Sequence, residues 1–317
     1  MTLIDALLHI LADGKRRSGV TLGRELGVTR AAVSKVVSEF RGQIPIEVSR
    51  SGYRLPDEYR PLDSFLIQQV LAQYDSGVDR LIILDEVDST NRYLLAVEEG
   101  GVIACLAESQ KAGRGRQGRS WVATPYANIL LSISVELRLA PKFLGLLSLA
   151  VGVAVRTAMS ELGVPEVQLK WPNDVLLAGR KLAGILIDMR GEAGALRAVV
   201  GIGLNCFQAP QIAAEIDQPF VSLRDHVSVD RSVVAGVVIA RVLEGVRLLE
   251  QGEHASLLAQ WRAHHALNGA EVTVQSAHQP PWTGRIQDIE ETGGLRIMTQ
   301  LGEMRVVYSG DVRVRLQ

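Results

Sequence analysis

Hydrophobic periodicity changes twice along this chain of 317 residues, and each change restricts what the adjoining stretch can fold into. Near the start, Leu3, Leu7, Leu8 and Leu11 recur at helical spacing. From Leu62 to Asn268, strand-like apolar runs alternate with amphipathic helical ones. From Ala270 to Gln317, short alternating runs such as Val272 to Val274, Leu295 to Ile297 and Val312 to Val314 are separated by turn residues. Between the first two patterns, Leu55 to Pro61 carries two prolines and several charges and reads as a linker. The expected organisation is an α+β multidomain chain with boundaries at 1–61, 62–268 and 269–317. The last segment fits a small β-barrel.

In the first segment, Thr21 reads as the cap of a short helix and Gly27 as its stop. Thr29 caps a second helix whose Val33, Val36, Val37 and Phe40 share one apolar face. This is a helix-turn-helix pattern over residues 19–38. Ile44 to Val48 and Gly52 to Leu55 read as two short strands forming a wing. The other face of the second helix carries Arg30, Ala31, Ser34, Lys35 and Ser38, small or donor-bearing residues that a DNA major groove accepts. Lys15, Arg16, Arg17, Arg24, Arg41 and Arg50 are candidates for phosphate contacts. The same pattern also describes a tri-helical protein-interaction module with a solvated charged face.

In the middle segment, strands are expected near 81–84, 103–107, 129–135, 167–170, 182–189 and 198–204, with long helices near 143–162 and 232–251. Strands sharing a sheet with helices on its face make an α/β or α+β catalytic layer. His264 and His265 read as helix-surface residues without a role. The net charge of −1 means that nucleic-acid contact requires a local basic patch. Cys105 and Cys206, the two cysteines, give neither a disulfide framework nor metal-ligand spacing, so no metal site is predicted and a reducing cytoplasm is the default. Met1 to Leu11 lacks the pattern of a signal peptide, and no run of about 18 apolar residues suggests a membrane span.

The chemistry concentrates in three places. Gly113 to Arg119 packs three glycines and three arginines into seven residues, a loop suited to closing over an anion. An arginine/glycine tract that binds RNA loosely is the other reading, but this one occurs once, between apolar runs. Lys170-Trp171-Pro172-Asn173-Asp174 starts as a strand and stops at a turn, leaving Lys170, Asn173 and Asp174 at a sheet rim; local turn capping explains it equally well. Lys181 enters an apolar strand in which Gly184 removes bulk, and is either a snorkelling edge residue or a ligand-facing cation.

Ser89-Thr90-Asn91, Gln110 with the glycine/arginine loop, Lys170 to Asp174, Arg180 to Leu186 and Gly201-Ile202-Gly203-Leu204-Asn205 occur in the order seen in biotin protein ligases. With the helix-turn-helix in front, the whole chain resembles the bifunctional bacterial BirA type, biotin ligase and biotin operon repressor. The resemblance implies a winged helix, a mixed-sheet biotin/lipoate-ligase-like catalytic domain and an SH3-like barrel. It implies that biotin and MgATP give biotinyl-5′-adenylate, whose acyl group passes to a lysine of a biotin carboxyl carrier protein, a subunit of acetyl-CoA carboxylase. By position, Ser89, Thr90, Asn91 and Gln110 line the biotin site, and Arg114, Gly115 and Arg116 belong to the covering loop. Lys181 would hold the carboxylate or adenylate oxygen, with Lys181 and Arg116 as the catalytic pair. Arg119, Lys170, Asn173, Asn205 and Phe220 fall on the nucleotide side. DNA binding falls to Arg30, Ser34 and Lys35. Biotin acts through its adenylate as corepressor of biotin synthesis genes, with operator DNA and a ligand-promoted homodimer as further partners.

Departures from the family pattern are Lys111, where glutamine is frequent, Gln117 in place of a common arginine, Phe220 where some relatives have tryptophan, and a shortened link between Phe40 and Ile46. A lipoate ligase, a transcription factor that only senses a small molecule, and a monofunctional ligase with a non-DNA-binding first module are the rival readings. The lipoate ligase predicts an arginine pair followed by a serine/glycine-rich run, absent here, and a pure sensor has no use for Lys170 and Lys181.

Overall fold

The computed structural model describes residues 2–40, 44, 46–191, 196–276, 280–309 and 312–316. Arg41, a candidate phosphate contact, lies outside them. Thr2 and Asp5 form a capping box on Leu3–Leu11 (α1). Gly19–Leu26 (α2) is capped by Ser18 and not by Thr21, whose backbone N–H instead donates to the Ser18 hydroxyl at 3.0 Å. Gly27 ends α2 in the left-handed region at φ +68°, and Thr29 caps Arg30–Glu39 (α3). Glu47–Ser49 (β1) pairs antiparallel with Gly52–Arg54 (β2), a shorter hairpin than expected.

Leu7, Leu8, Leu11, Leu22, Val33 and Val37 bury together, and Tyr126 and Ala127 from the central region close this core. The stretch read as a linker is firmly packed. Leu55 and Tyr59 are buried. Arg231 donates to the Arg60 carbonyl at 2.8 Å and to Glu108 at 2.6 Å, while Glu108 accepts from the Leu62 N–H at 2.6 Å. Both terminal nitrogens of Arg231 also donate to backbone carbonyls, of Asn128 and Arg60, which offsets part of the cost of burying this ion pair, while its Nε is buried without a partner among the described residues.

Ser64–Gln73 (α4) precedes Arg80–Val87 (β3), Thr90–Ala96 (α5), Ile103–Gln110 (β4) and Ile129–Leu137 (β5). Leu146–Glu161 (α6) is followed by Gln168–Lys170 (β6), Asp174–Leu177 (β7), Arg180–Arg190 (β8) and Leu196–Leu204 (β9). Pro210–Ala213 (α7), Arg231–Glu250 (α8) and His254–Ala263 (α9) complete this region. Among the described residues its strands form one sheet in the order β3-β4-β5-β9-β8-β7-β6, with β3 and β4 parallel and the other neighbours antiparallel. The expected turn after Pro172 is brief, because the chain re-enters the sheet at once as β7.

Side-chain alternation sorts the sheet into two faces. Leu131, Ile133, Ala198, Val200 and Ile202 join the main core with α6 and α8. Residues of opposite parity, Ile103, Cys105 and Val199, pack with Leu94 of α5. Further along that second face, Ser132 pairs in register with Gly201, and Gly184 with Gly203. Small and polar residues therefore replace aliphatic ones at the N-terminal end of α5, and a hollow results.

His264 and His265 are not on a helix surface. They follow α9, where the Leu169 N–H donates to the His264 carbonyl and the Ala266 N–H to the Leu169 carbonyl, both at 2.8 Å, covering the edge of β6. The His265 ring lies 4.3 Å from Trp261, and burial pulls its pKa down to about 4. Glu271–Ser276 (β10), Trp282–Ile289 (β11), Leu295–Thr299 (β12), Met304–Val307 (β13) and Val312–Leu316 (β14) form a separate antiparallel sheet in the order β13-β12-β11-β10-β14. Among the described residues no helix is long and apolar enough to cross a membrane.

Candidate active site

The hollow opens into a cavity of about 510 Å³, lined by Ser89, Thr90, Asn91, Gln110, Arg114, Gly115, Arg116, Arg119, Lys170, Asn173 and Lys181 among others. Residues spread over more than ninety positions of sequence thus meet because β4, β8 and β9 share one sheet with α5 at its face. Its inner end is a continuous hydrogen-bonded network. Gln110 Oε1 accepts from the Thr90 backbone N–H at 2.7 Å and from its hydroxyl at 3.3 Å. The buried Ser132 hydroxyl stands 2.7 Å from Thr90 Oγ1 and 2.5 Å from Asn91 Oδ1. Asn91 Nδ2 then donates to Asp188 at 2.9 Å and to the Leu186 carbonyl at 3.2 Å. Each amide is fixed in orientation, so the inner end offers a preset pattern of donors and acceptors.

The floor is made by missing side chains. A Cβ at Gly201 would stand 2.2 Å from Asn91 Oδ1, and one at Gly203 would stand 2.3 Å from the Trp121 indole. Gly184, the register partner of Gly203, would place its Cβ 2.9 Å from the same indole. Trp121 therefore rests on a facing glycine pair, with its indole N–H buried and unpartnered among the described residues. Sequence reasoning missed Trp121, Ser132 and Asp188. The period-two spacing of Gly201 and Gly203 was a usable signal, since it places two absences of volume on one face.

A register irregularity aims Lys181. Val175 pairs with Ala183 but Leu176 pairs with Lys181, so β8 carries one extra residue at Leu182. Without this bulge Lys181 would share the face of Ala183 and Ile185, which is core. With it, the ammonium reaches the cavity, 2.7 Å from Asp174 Oδ1 and 5.4 Å from the Trp121 ring centre.

The glycine/arginine loop is a tight hairpin. The Trp121 N–H donates to the Gly113 carbonyl at 2.9 Å, the Gly115 N–H donates to the Arg119 carbonyl at 2.7 Å, and Arg114 bridges to Ser120. A Cβ at Gly113 would meet the Trp121 carbonyl at 2.6 Å, while Gly118 turns the tip at φ +73°. Arg116 reaches inward to donate to Asn173 Oδ1 at 3.4 Å. Burial pulls its guanidinium below the ordinary arginine range, partly offset by the Asp174 carboxylate. Arg114 stays more exposed, 3.7 Å from Asp188. Asn173 is clamped to β8 by donating to the Ile185 carbonyl at 2.8 Å.

Two expected site residues do not line the cavity. Asn205 is buried and donates to the Lys181 carbonyl at 3.2 Å, so it supports β8 from behind. Phe220 runs beside Lys181, with Pro219 accepting from the Lys181 N–H at 3.0 Å, but Asp217, Gln218 and Pro219 form the wall there. Trp171 is buried and donates to the Gly293 carbonyl at 3.0 Å, tying the Lys170 to Asp174 run to the turn between β11 and β12. Far from the cavity, Arg30, Ser34 and Lys35 are exposed together on α3. Arg16 and Arg17 are held by Glu47 and Asp13, each at 2.6 Å.

No histidine or cysteine lines the cavity among the described residues. Its polar inner end and cationic mouth suit a ligase-type site, which can work by positioning an anionic ligand and compensating its charge. Residues 85–205 match the Biotin/lipoate A/B protein ligase family, and residues 269–315 match the Biotin protein ligase C terminal domain. The bifunctional ligase/repressor BirA of Escherichia coli (strain K12) is 36% identical over 263 residues, covering 80% of this chain and 80% of that protein. The biotin--[acetyl-CoA-carboxylase] ligase of Mycobacterium tuberculosis (strain ATCC 25618 / H37Rv) is 38% identical over 263 residues, 80% of this chain and 95% of that protein. The solved biotin protein ligase from Aquifex aeolicus in complex with biotin and ATP superposes with a TM-score of 0.65 at 29% identity, covering 75% of this chain and all of that one. The chain belongs to the biotin protein ligase family, in its BirA branch.

Proposed function

We propose that the cavity binds biotin with its ureido ring at the Thr90, Asn91 and Gln110 end and its carboxylate toward Lys181. One observation carries this reading: a rigid polar pocket and a group of cations, Lys181, Lys170, Arg116 and Arg119, line the same cavity. A carboxylate oxygen of biotin attacks the α-phosphorus of ATP, pyrophosphate leaves, and biotinyl-5′-adenylate forms. Lys181 and Arg116 hold the oxygens on which charge accumulates, while Lys170, Arg119 and Asn173 take the phosphates. A carrier lysine then attacks the acyl carbon, AMP departs with the bonding pair, and the amine proton passes to solvent. Asp174 and Asn173 supply hard oxygen donors at the mouth, which suits Mg²⁺ arriving on the nucleotide phosphates, where it would neutralise phosphate charge.

The first segment reads as a winged helix, 1–61, with Arg30, Ser34 and Lys35 toward an operator. The last, 269–317, reads as an SH3-like barrel flanking the catalytic domain, 62–268, and the protein acts in the cytoplasm. If the adenylate orders the loop and that surface meets a second copy, ligand promotes a homodimer with two DNA-reading helices. A ligase whose first segment binds protein instead is the second reading, favoured by the pairing of Arg16 and Arg17 with carboxylates. Operator binding in the presence of biotinyl-adenylate separates the two, and sedimentation with and without it tests the dimer: no ligand-dependent association contradicts it.

A further inference from the structure

Lys181 already has an anion. Its ammonium contacts Asp174 Oδ1 at 2.7 Å, and both side chains are largely buried at 16% and 20% exposure. The lysine lies back over Gly184, the register partner of Asp174, so close that a Cβ there would stand 3.1 Å from Lys181 Cε. Arg116 lies within the field of the same carboxylate and contacts its neighbour Asn173. Lys170, on the same cavity, pairs with no carboxylate among the described residues. Asp217 also lines the cavity and Asp188 faces Arg114, but among the described residues Asp174 is the carboxylate in contact with Lys181, where an acyl carboxylate has to arrive.

We propose that Asp174 is an internal counter-ion exchanged for the ligand's carboxylate, a positioning residue whose displacement is part of binding. This rests on Lys181 being the carboxylate-holding group. Before binding, the pair spares the site a poorly solvated, unpartnered ammonium. On binding, two carboxylates cannot share one ammonium without repulsion, so Asp174 withdraws and that separation is deducted from the affinity of an anionic ligand. Trp121 remains beside the ammonium throughout, giving it a second partner during the exchange. A neutral ligand of the same shape leaves the pair intact and carries no such deduction.

The test is calorimetric binding of biotin, and of the corresponding uncharged alcohol, to wild type, Asp174→Asn, Asp174→Ala and Asp174→Glu, all without ATP. The expected result is biotin affinity roughly five-fold tighter in the Asn and Ala variants, the upper end of the scale for one ion pair that keeps some solvent contact. Alcohol affinity should be unchanged, and Glu should restore the wild-type value for biotin. In a Lys181→Ala background the gain from Asp174→Asn should vanish. Weaker or unchanged biotin binding in the Asn and Ala variants, with cooperative melting retained, overturns the proposal, because a carboxylate that merely props the lysine would produce that result. An equal gain for the alcohol also overturns it. Absence of biotin binding to wild type would instead sink the underlying ligase reading, so the two failures are distinguishable.

Discussion

The floor and the rim of the cavity both depend on glycine, for opposite reasons. On the floor, Gly184, Gly201 and Gly203 lie in regular strands, and what matters is the volume they leave to Asn91 and Trp121. At the rim, Gly113 admits the Trp121 backbone and Gly118 supplies a left-handed turn with open space around it. The floor is held by sheet register and buried hydrogen bonds, while the rim is an exposed hairpin whose arginines contact Asn173 at the mouth and Asp188, the partner of Asn91. Affinity for the ligand head should therefore reside in the floor, and retention of the activated intermediate in the rim.

That division can be broken by substitution. The largest effect is expected from Lys181→Ala, which should fold but lose about 100-fold or more in adenylate formation, measured by pyrophosphate release, because a charge-stabilising donor is removed. Gly201→Ala should come next. The added methyl collides with an Asn91 held by Ser132, Asp188 and Leu186, so biotin affinity should fall by about 100-fold, the equivalent of roughly two lost buried hydrogen bonds. Calorimetry checks it, and a normal affinity would dissolve the distinction between floor and rim. Arg116→Ala should act at the rim alone, leaving biotin affinity within about two-fold while the adenylate escapes to solvent about ten-fold faster, the scale of one charge-assisted hydrogen bond. Equal losses in both quantities would mean that rim and floor act as one unit.

For biotin affinity the smallest effect, none at all, is expected outside the cavity and serves as a control. His265 has its pKa lowered to about 4 by burial, below the ordinary value of 6.5, so the unfolded chain binds the proton more readily between those values. Stability contributed by the neutral ring is therefore present above pH 6.5 and is lost as pH falls toward 4, by up to about 3 kcal/mol. His265→Phe should flatten thermal stability across that window without changing biotin affinity at pH 7.5. An unchanged pH profile would mean that His265 is hydrated in the folded protein.

Much of the scaffold was legible because β4, β5, β8 and β9 are apolar enough to announce themselves, and the long helices α6 and α8 likewise. The short strand β7 was not, since Pro172, Asn173 and Asp174 look like an ending, and only pairing with β8 makes Asp174 the start of another strand. The cavity-lining cluster from Ser89 to Lys181 was legible as motifs. Its supports were not: Ser132 is an ordinary serine in an apolar run until register sets it against Gly201, and Trp121 looks like a core residue until two glycines receive it. Asn205 and Phe220, which the resemblance puts on the nucleotide side, do not line this cavity: Asn205 donates to the Lys181 carbonyl and Phe220 runs beside Lys181. Side-chain direction in a sheet follows from parity and bulges, and a single sequence does not reveal the extra residue at Leu182 that aims Lys181.

The central claim is that this cavity makes and holds an acyl-adenylate for transfer. Incubating the full chain with labelled biotin, MgATP and an apo carrier domain, with separate detection of free adenylate and labelled carrier, tests it directly. The expected result is label on the carrier with little free adenylate, no label with Lys181→Ala, and lipoate failing to replace biotin. Labelled carrier formed equally well by wild type and Lys181→Ala, or no label with wild type, would contradict the account.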